Sequence, residues 1–326
     1  MRPAPLSLPA PAVGLDLGGT KIAAALVGPD GAVRARDVRP TPAAEGAEAV
    51  LDALAAAVAA VGPDARAVGV AAAGVVDPRT GTVTSATDSL PGWAGTPLGP
   101  ALARRTGLPV ACDNDVRAAA GPESAAAPGG RANLLYAAVG TGVGGAVAVD
   151  GRLLHGTDGL AGHLGHLPAT EAAGLDCPCG ATGHLEAVAS GPGITALYRR
   201  LSGRTADRLQ TVAARAADGE AAAVRAITTG ARAAGGVLGG LANALGCDRV
   251  VVGGGVPGIG PLYRTALADA FGAALMPPLR RVRPRAPLFG ADAAVLGAAA
   301  LTATAPLHPP AGHPVPPLAH SSGASS

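Results

Sequence analysis

Apolar runs separated by glycine-rich turns occur twice along the chain. Two apolar runs flank a glycine turn in residues 13–27, and the same pattern returns in residues 133–149. The run lengths and turn residues are those of a β-hairpin. Each pair is followed by a further turn and apolar run, with Asp30-Gly31 in the first copy and Asp150-Gly151 in the second. The pattern predicts an α/β fold made of duplicated units, each opening with three strands.

Helical spacing of apolar residues fills much of the chain between these strands. Such spacing over residues 45–61 stops at Gly62-Pro63, which predicts a helix there. Further helices are expected over 98–106, from Asp115, before Gly246 and over 291–303.

This organisation divides the chain into two lobes and two tails. We predict an N-terminal lobe over 13–120 and a C-terminal lobe over 121–290, and we expect the closing helix 291–303 to pack on the N-terminal lobe. Residues 1–12 and 304–326 are rich in proline and lack periodicity, so both are expected to be disordered. No role is expected for the tail histidines His308, His313 and His320.

The composition argues against nucleic acid and membranes as partners. Among 326 residues, Lys and Arg total 25 and Asp and Glu total 23, a net charge of +2, which gives no electrostatic attraction to DNA or anionic lipid. Aromatic residues are 2% of the chain, too few for stacking on bases. The apolar stretch 233–247 is shorter than the ~20 residues that span a bilayer. We expect a cytoplasmic protein.

Both predicted hairpins turn through motifs that suit phosphate binding. The first turn is Asp16-Leu-Gly-Gly-Thr-Lys21, which holds the chain's one lysine, and the second is Gly140-Thr-Gly-Val-Gly-Gly145. Glycine lets the backbone approach a phosphate, and amide and Thr hydroxyl groups can donate to it. Neither turn has P-loop spacing, and either alone could be an ordinary hairpin. Two such turns at equivalent places favour a nucleotide bound from both sides.

Asp113-Asn114-Asp115 lies where a predicted strand passes into a helix. Asp and Asn at this position commonly cap a helix by accepting its free amide hydrogens. A carboxylate here could also act as a general base in phosphoryl transfer, where positioning and charge stabilisation carry most of the catalysis. The spacing leaves both interpretations open.

A cluster of soft ligands occupies the loop-rich segment 163–186. His166, Cys177, Cys179 and His184 would complete the tetrahedral ligand set of a structural zinc ion and stabilise a loop with little core of its own. The alternative is a pair of reduced thiols beside surface histidines.

These motifs together resemble those of the ROK sugar kinases. They are Asp16-x-Gly-Gly-Thr-Lys21, Asn114-Asp115, Gly140-Thr-Gly-x-Gly144, Gly162-His-x-Gly-His166 and Cys177-x-Cys-Gly-x-x-Gly-His-x-Glu186, in the family's order. The resemblance covers about residues 13–303. It implies the two-lobed, actin-like (ribonuclease H-like) ATPase fold, with sugar and Mg·ATP meeting in a cleft, a structural zinc ion and a homodimer.

The resemblance also implies residue roles. Asp115 corresponds to the general base that takes the proton from the sugar's 6-hydroxyl. The sugar contacts would be Gly74, Asn114, Asp115, His163, His166 and Glu186. The ATP contacts would be Asp16, Gly18, Gly19, Thr20, Lys21, Gly140, Thr141, Gly142, Gly144, Gly254 and Gly255. The metal ligands would be His166, Cys177, Cys179 and His184.

Three positions depart from the usual family pattern. His163 replaces a Glu of most glucose-type members, which makes the chain similar to the bacterial N-acetylmannosamine kinases. A neutral imidazole in place of a fixed anion suits an N-acetyl group better than a bare hydroxyl. His184 stands where a Cys is usual, and Ser89 stands where many relatives have a sugar-binding Asn, with Asp88 as a replacement.

The resulting expectation is ATP-dependent phosphorylation of the 6-hydroxyl of an N-acetylhexosamine. N-acetylmannosamine is the expected substrate within that class. Glucokinase or N-acetylglucosamine kinase activity is the alternative among enzymes. A sugar-sensing repressor would need a DNA-binding domain, and the 12 residues before Val13 are too few for a helix-turn-helix. A non-catalytic sugar-binding protein would not need Asp16, Thr20, Thr141 and Asp115.

Overall fold

The computed structural model describes residues 6–86, 90–127 and 132–310, which form two compact units. The N-terminal unit contains residues 7–115 and the described chain from Ala298 onwards. The C-terminal unit contains Val116–Gly297.

The N-terminal unit is built on one five-stranded sheet. The sheet strands are β1 (Ala12–Leu17), β2 (Lys21–Val27), β3 (Val33–Pro40), β4 (Ala67–Ala72) and β7 (Val110–Asn114), beside the small hairpin β5 (Val75–Asp77) and β6 (Thr82–Ser85). Its helices are α1 (Ala47–Val61) and α2 (Leu98–Thr106), and α9 (Ala293–Thr304) ends in this unit. The strand order is β3-β2-β1-β4-β7, antiparallel through β1 and parallel beyond it.

The C-terminal unit repeats this arrangement. Its strands are β8 (Leu134–Val139), β9 (Val143–Val149), β10 (Arg152–Leu153), β11 (Arg249–Gly253) and β12 (Pro284–Arg285). Its helices are α3 (Asp115–Ala125), α4 (Glu186–Ala189), α5 (Gly191–Ser202), α6 (Leu209–Ala217), α7 (Ala221–Leu245) and α8 (Pro261–Ala274). The order β10-β9-β8-β11-β12 has the same antiparallel and parallel pairings as the first sheet. The predicted α/β class and its duplicated hairpins are confirmed.

Helix packing in the C-terminal unit depends on small residues. A Cβ atom added at Gly235 of α7 would collide with the backbone oxygen of Leu267 in α8, and one at Gly239 would lie 2.8 Å from the oxygen of Phe271. The two helices therefore approach backbone to backbone along this stretch. Among the described residues, no helix is long and apolar enough to cross a membrane.

The boundary between the units differs from the expected one. The N-terminal unit ends at Asp115 rather than residue 120, because Ala119 and Ala120 of α3 pack with Leu134 and Tyr136 of the second sheet. The closing helix is divided between the units, at Gly297 and Ala298.

The expectation of disorder is wrong for the described parts of both ends. Leu8 is buried and its N–H donates to the oxygen of Pro29 at 3.0 Å, and Ala12 already belongs to β1. At the other end, Thr304 completes α9 and His308 is buried against β7. His313 and His320 lie outside the described residues, as do Asp88 and Ser89.

Candidate functional site

The first glycine turn joins β1 to β2 and carries Asp16 at its entrance. The N–H of Gly18 donates to the oxygen of Lys21 at 3.0 Å, which closes the turn, and the Thr41 hydroxyl donates to the oxygen of Gly18 at 2.7 Å. Burial and the nearby Asp115 carboxylate raise the pKa of Asp16 to about 6, against the opposing charge of Lys21. Thr20 and Lys21 are exposed. The sheet thus brings Asp16 and Asp115, far apart in sequence, into electrostatic contact.

Asn114 ends β7 and fixes the carboxylate that follows it. Its side-chain amide donates to Oδ1 of Asp115 at 2.9 Å and to the oxygen of Gly74 at 2.9 Å. Gly74 has φ +99°, and a Cβ there would lie 2.5 Å from the oxygen of Ser85. Only glycine fits this position without strain. Three predicted site residues, Gly74, Asn114 and Asp115, therefore form one hydrogen-bonded group.

The second glycine turn joins β8 to β9 and is bound at both ends by the segment around α4. The N–H of Val143 donates to Oε2 of Glu186 at 2.8 Å, and the N–H of Gly191 donates to the oxygen of Gly140 at 2.8 Å. A Cβ at Gly142 would lie 2.7 Å from Oε2 of Glu186. A larger residue at position 142 would therefore displace this carboxylate from its contact with the turn.

A cavity of about 500 Å³ opens beside the second turn. It brings together three predicted ATP contacts, Gly140, Thr141 and Gly255. Polar side chains from α5 and the segment after it also line the cavity: Thr195, Arg199, Asp207, Arg208 and Gln210. No motif in the sequence marked those residues, since their spacing carries no recognisable signature.

Gly254 is placed differently from Gly255. It lines a separate cavity of about 640 Å³ with Tyr263 and Arg264 of α8 and with Pro287. It has φ +89°, and a Cβ there would collide with the backbone oxygen of Val139. The structure accounts for this glycine by the close approach of the end of β11 to β8.

The predicted metal ligands converge. The candidate ligand atoms of His166, Cys177, Cys179 and His184 all lie within 4.8 Å of one another. Nδ1 of His166 is 3.8 Å from Sγ of Cys177, and Nδ1 of His184 is 3.2 Å from Sγ of Cys179. Burial first, and then neighbouring His163 and His184, hold the pKa of His166 below its usual value against the charge of Glu186. Neutral imidazole and thiolate are the donors zinc prefers, so this set fits the ion.

His163 lies beside the cluster rather than in it. Its Nδ1 donates to the oxygen of Leu160 at 2.8 Å, and its ring stacks on that of His166 with centroids 6.2 Å apart. A Cβ at Gly162 would collide with the oxygen of Gly145, and one at Gly165 with that of Val143. The glycines of the Gly162-His-x-Gly-His motif therefore let the backbone of this segment pack directly against β9.

A model of one protein family matches most of the chain. The model described as the ROK family matches residues 12–305. The chain belongs to the ROK family.

Named ROK relatives and solved structures support this membership. An N-acetylmannosamine kinase from Escherichia coli is 39% identical over 289 residues, 88% of this chain and 96% of that protein. A ROK family glucokinase from Streptomyces griseus, solved with glucose and AMPPNP, is 32% identical with a TM-score of 0.75, covering 90% of this chain and 99% of that one. A ROK hexokinase from Thermus thermophilus is 36% identical with a TM-score of 0.78, covering 89% and 97%. The expected family and the actin-like fold of its kinases are confirmed.

One buried residue of this ROK protein was not recognised from the sequence. Arg117, 1% exposed in α3, donates Nη1 to the oxygens of Gly159 at 2.7 Å and Ala161 at 3.3 Å. It thereby fixes the loop that leads into Gly162 and His163. An arginine among alanines in a helix gives no sign of such a role, because its partners are backbone oxygens of a distant loop.

Proposed function

We propose that this protein transfers the γ-phosphoryl group of Mg·ATP to the 6-hydroxyl of N-acetylmannosamine. The observation that carries the proposal is the fixed Asn114–Asp115 pair, since Asn114 orients the Asp115 carboxylate at 2.9 Å. The 39% identity to an N-acetylmannosamine kinase supports the choice of sugar.

Asp115 is the proposed general base. Its carboxylate accepts from the side-chain amide of Asn114, and a carboxylate oriented in this way can accept the proton of the attacking hydroxyl. Positioning of that hydroxyl and stabilisation of phosphate charge would supply most of the rate enhancement.

The nucleotide is proposed to contact both glycine turns. Amide hydrogens of Gly18, Gly19, Gly142 and Gly144 and the hydroxyls of Thr20 and Thr141 are the phosphate donors, and Lys21 adds positive charge. Gly140, Thr141 and Gly255 line one cavity, which supports adenosine binding there, and Gly254, next to Gly255 in sequence, is the remaining proposed contact. Asp16 is the residue that would hold Mg²⁺ through water, and the ion would neutralise developing phosphate charge.

His163 is the proposed determinant of sugar preference. Because Nδ1 donates to Leu160, the neutral ring presents Nε2 as an acceptor. An acetamido N–H can donate to this atom, whereas a glutamate there would add a negative charge. His166 and Glu186, on either side of the same loop, are the other proposed sugar contacts in this unit.

Structural zinc is proposed at His166, Cys177, Cys179 and His184. Four protein ligands leave no open position for catalysis, so the ion would stabilise the loop that carries His163 and Glu186. The homodimer and the cytoplasmic location stay predictions.

ADP release, coupled to an indicator reaction, tests the proposal. Wild-type protein with Mg·ATP is assayed against N-acetylmannosamine, N-acetylglucosamine, glucose and mannose, and His163→Glu is assayed in parallel. We expect the highest kcat/KM with N-acetylmannosamine and a shift of the variant towards glucose. A wild-type preference for glucose would instead support the second candidate, a glucokinase, which the Streptomyces griseus relative favours.

A further inference from the structure

The segment after α9 makes contacts that the proposed reaction does not use. The N–H of His308 donates to the oxygen of Val110 at 2.7 Å, and the N–H of Val110 donates to the oxygen of His308 at 2.9 Å. Val110 belongs to β7, the outer strand of its sheet, so this bridge covers an open edge. The family match ends at residue 305, and His308 therefore lies beyond the part of the chain that the family model describes.

The His308 ring fills a slot formed by two glycines. A Cβ at Gly81 would lie 2.7 Å from Nε2, and a Cβ at Gly99 would collide with the ring. The N–H of Gly99 donates to the oxygen of Gly81 at 2.9 Å, which joins the walls of the slot. Nε2 lies 3.1 Å from the oxygen of Pro78. Because a carbonyl oxygen only accepts, Nε2 carries the hydrogen and donates it.

His308 contacts Val110 of β7 and Pro78 just after β5, and site residues lie at or beside the other ends of these two strands. Pro78 follows β5, which begins directly after Gly74, and Val110 begins β7, which ends in Asn114. The Asn114 amide donates to the oxygen of Gly74 at 2.9 Å. β5 and β7 are thus joined at one end by Asn114 and Gly74 and at the other by His308.

We propose that His308 is a positioning residue for sugar binding, because it sets the spacing of β5 and β7 and thereby the placement of Gly74 and Asn114. The role of those two residues rests on the proposed function. His308 itself contacts backbone of the N-terminal unit and acts only through the two strands.

Three substitutions separate the contributions of the ring. His308→Ala removes both donor and volume, His308→Leu fills the slot without a donor, and His308→Gln keeps an N–H donor. We expect Ala and Leu to raise the KM for sugar about five- to tenfold, the effect of one lost buried hydrogen bond, with the KM for ATP unchanged. Gln is expected to restore the wild-type value.

A matched pair of truncations tests the segment as a whole. A chain ending at Pro310 keeps His308 and is expected to match the full chain. A chain ending at Ala305 lacks the ring and also the two backbone hydrogen bonds to Val110, so its KM for sugar is expected to rise at least as much as that of His308→Ala. Fluorescence of Trp93, the one tryptophan and buried in the same unit, shows that each variant is folded at the assay temperature.

Hydrogen exchange without substrate gives a readout independent of the reaction. The amides of Val110 and Gly99 are expected to exchange faster in His308→Ala, while that of Val143 in the C-terminal unit stays unchanged. Unaltered exchange, or faster exchange with an unaltered sugar KM, would overturn the proposal. If wild-type protein phosphorylated no sugar, the proposed function would fall, and the exchange rates would still decide whether His308 sets the spacing of β5 and β7.

Discussion

The two glycine turns occupy the same place in duplicated sheets but obtain their charge differently. The first turn carries Asp16 and Lys21 itself, whereas residues 140–145 contain no charged side chain. The carboxylate at the second turn is Glu186, which accepts from the N–H of Val143 at 2.8 Å. Glu186 follows the predicted metal ligands, in the segment between β10 and β11.

This difference shows that two copies of one fold can rely on different segments of the chain to complete equivalent turns. The first turn is completed by residues of its own sheet, Asp16 on β1 and Asp115 after β7. The second turn is completed by Glu186, which begins α4 directly after the loop that the predicted metal site would stabilise. Disturbing the metal loop should therefore affect the second turn and spare the first.

Asp115→Asn, beside the first turn, should give the largest effect, a fall in kcat. Asparagine keeps the size of the side chain and an acceptor for Asn114 but cannot take a proton. We expect kcat to fall about 10²- to 10⁴-fold, with the KM for ATP and the unfolding temperature near those of the wild type. Turnover comparable to wild type in folded protein would contradict the assignment of Asp115.

Cys177→Ser should give the next largest effect, through the loop that precedes Glu186 and the second turn. Elemental analysis of wild-type protein is expected to give about one zinc per chain, and the variant is expected to lose most of it. Because a zinc ion bound by these residues would stabilise their loop, the unfolding temperature should fall by at least about 5 °C. Equal metal content in the two proteins would argue against the predicted ligand set.

Asp16 should make the stability of the N-terminal unit depend on pH. Its pKa is raised from 3.8 to about 6 in the folded state, so between these values the folded protein binds more protons than the unfolded one. The free energy of unfolding should then fall as pH rises through this window, by at most about 3 kcal/mol, and level off above it.

Asp16→Asn provides the matched control for that titration. Denaturant unfolding of both proteins from pH 4 to 8 isolates the contribution of Asp16 as a difference between two curves. If the difference in free energy of unfolding between the two proteins stayed constant with pH, the pKa of Asp16 would not be raised in the folded state.

Glu186→Ala should give the smallest effect, at the second turn. It leaves the N–H of Val143 without its acceptor, and we expect AMPPNP to bind about tenfold more weakly. Glu186→Gln keeps an acceptor oxygen and should bind near the wild-type affinity. Titration calorimetry without sugar measures the affinity for AMPPNP apart from any sugar contact. Equal affinities of the Ala variant and the wild type would contradict the proposal that Glu186 supports nucleotide binding at the second turn.

The sequence predicted the features that local patterns encode. The apolar runs and the glycine turns between them predicted both hairpins. The spacing of Cys177, Cys179 and His184 predicted the cluster that the fold assembles. The prediction that Asp115 is the general base comes from the resemblance to the ROK sugar kinases, because its place between a strand and a helix also fits a capping residue.

Contacts between distant segments could not be predicted in this way. The bond from Val143 to Glu186 and the slot that receives His308 arise only when the chain folds, because each joins segments without a shared motif. The prediction of a disordered tail is wrong at His308 for the same reason. This part of the sequence shows no periodicity, yet the distant Gly81 and Gly99 form the slot that holds the His308 ring.

The position of the phosphate on the product tests the central claim most directly. N-acetylmannosamine and Mg·ATP are incubated with wild-type protein and with Asp115→Asn, and the products are examined by phosphorus–proton correlation NMR. The account predicts a wild-type phosphoester coupled to the two C6 protons, with almost none from the variant. Coupling to the anomeric proton, or no sugar phosphate from the wild-type protein, would contradict it.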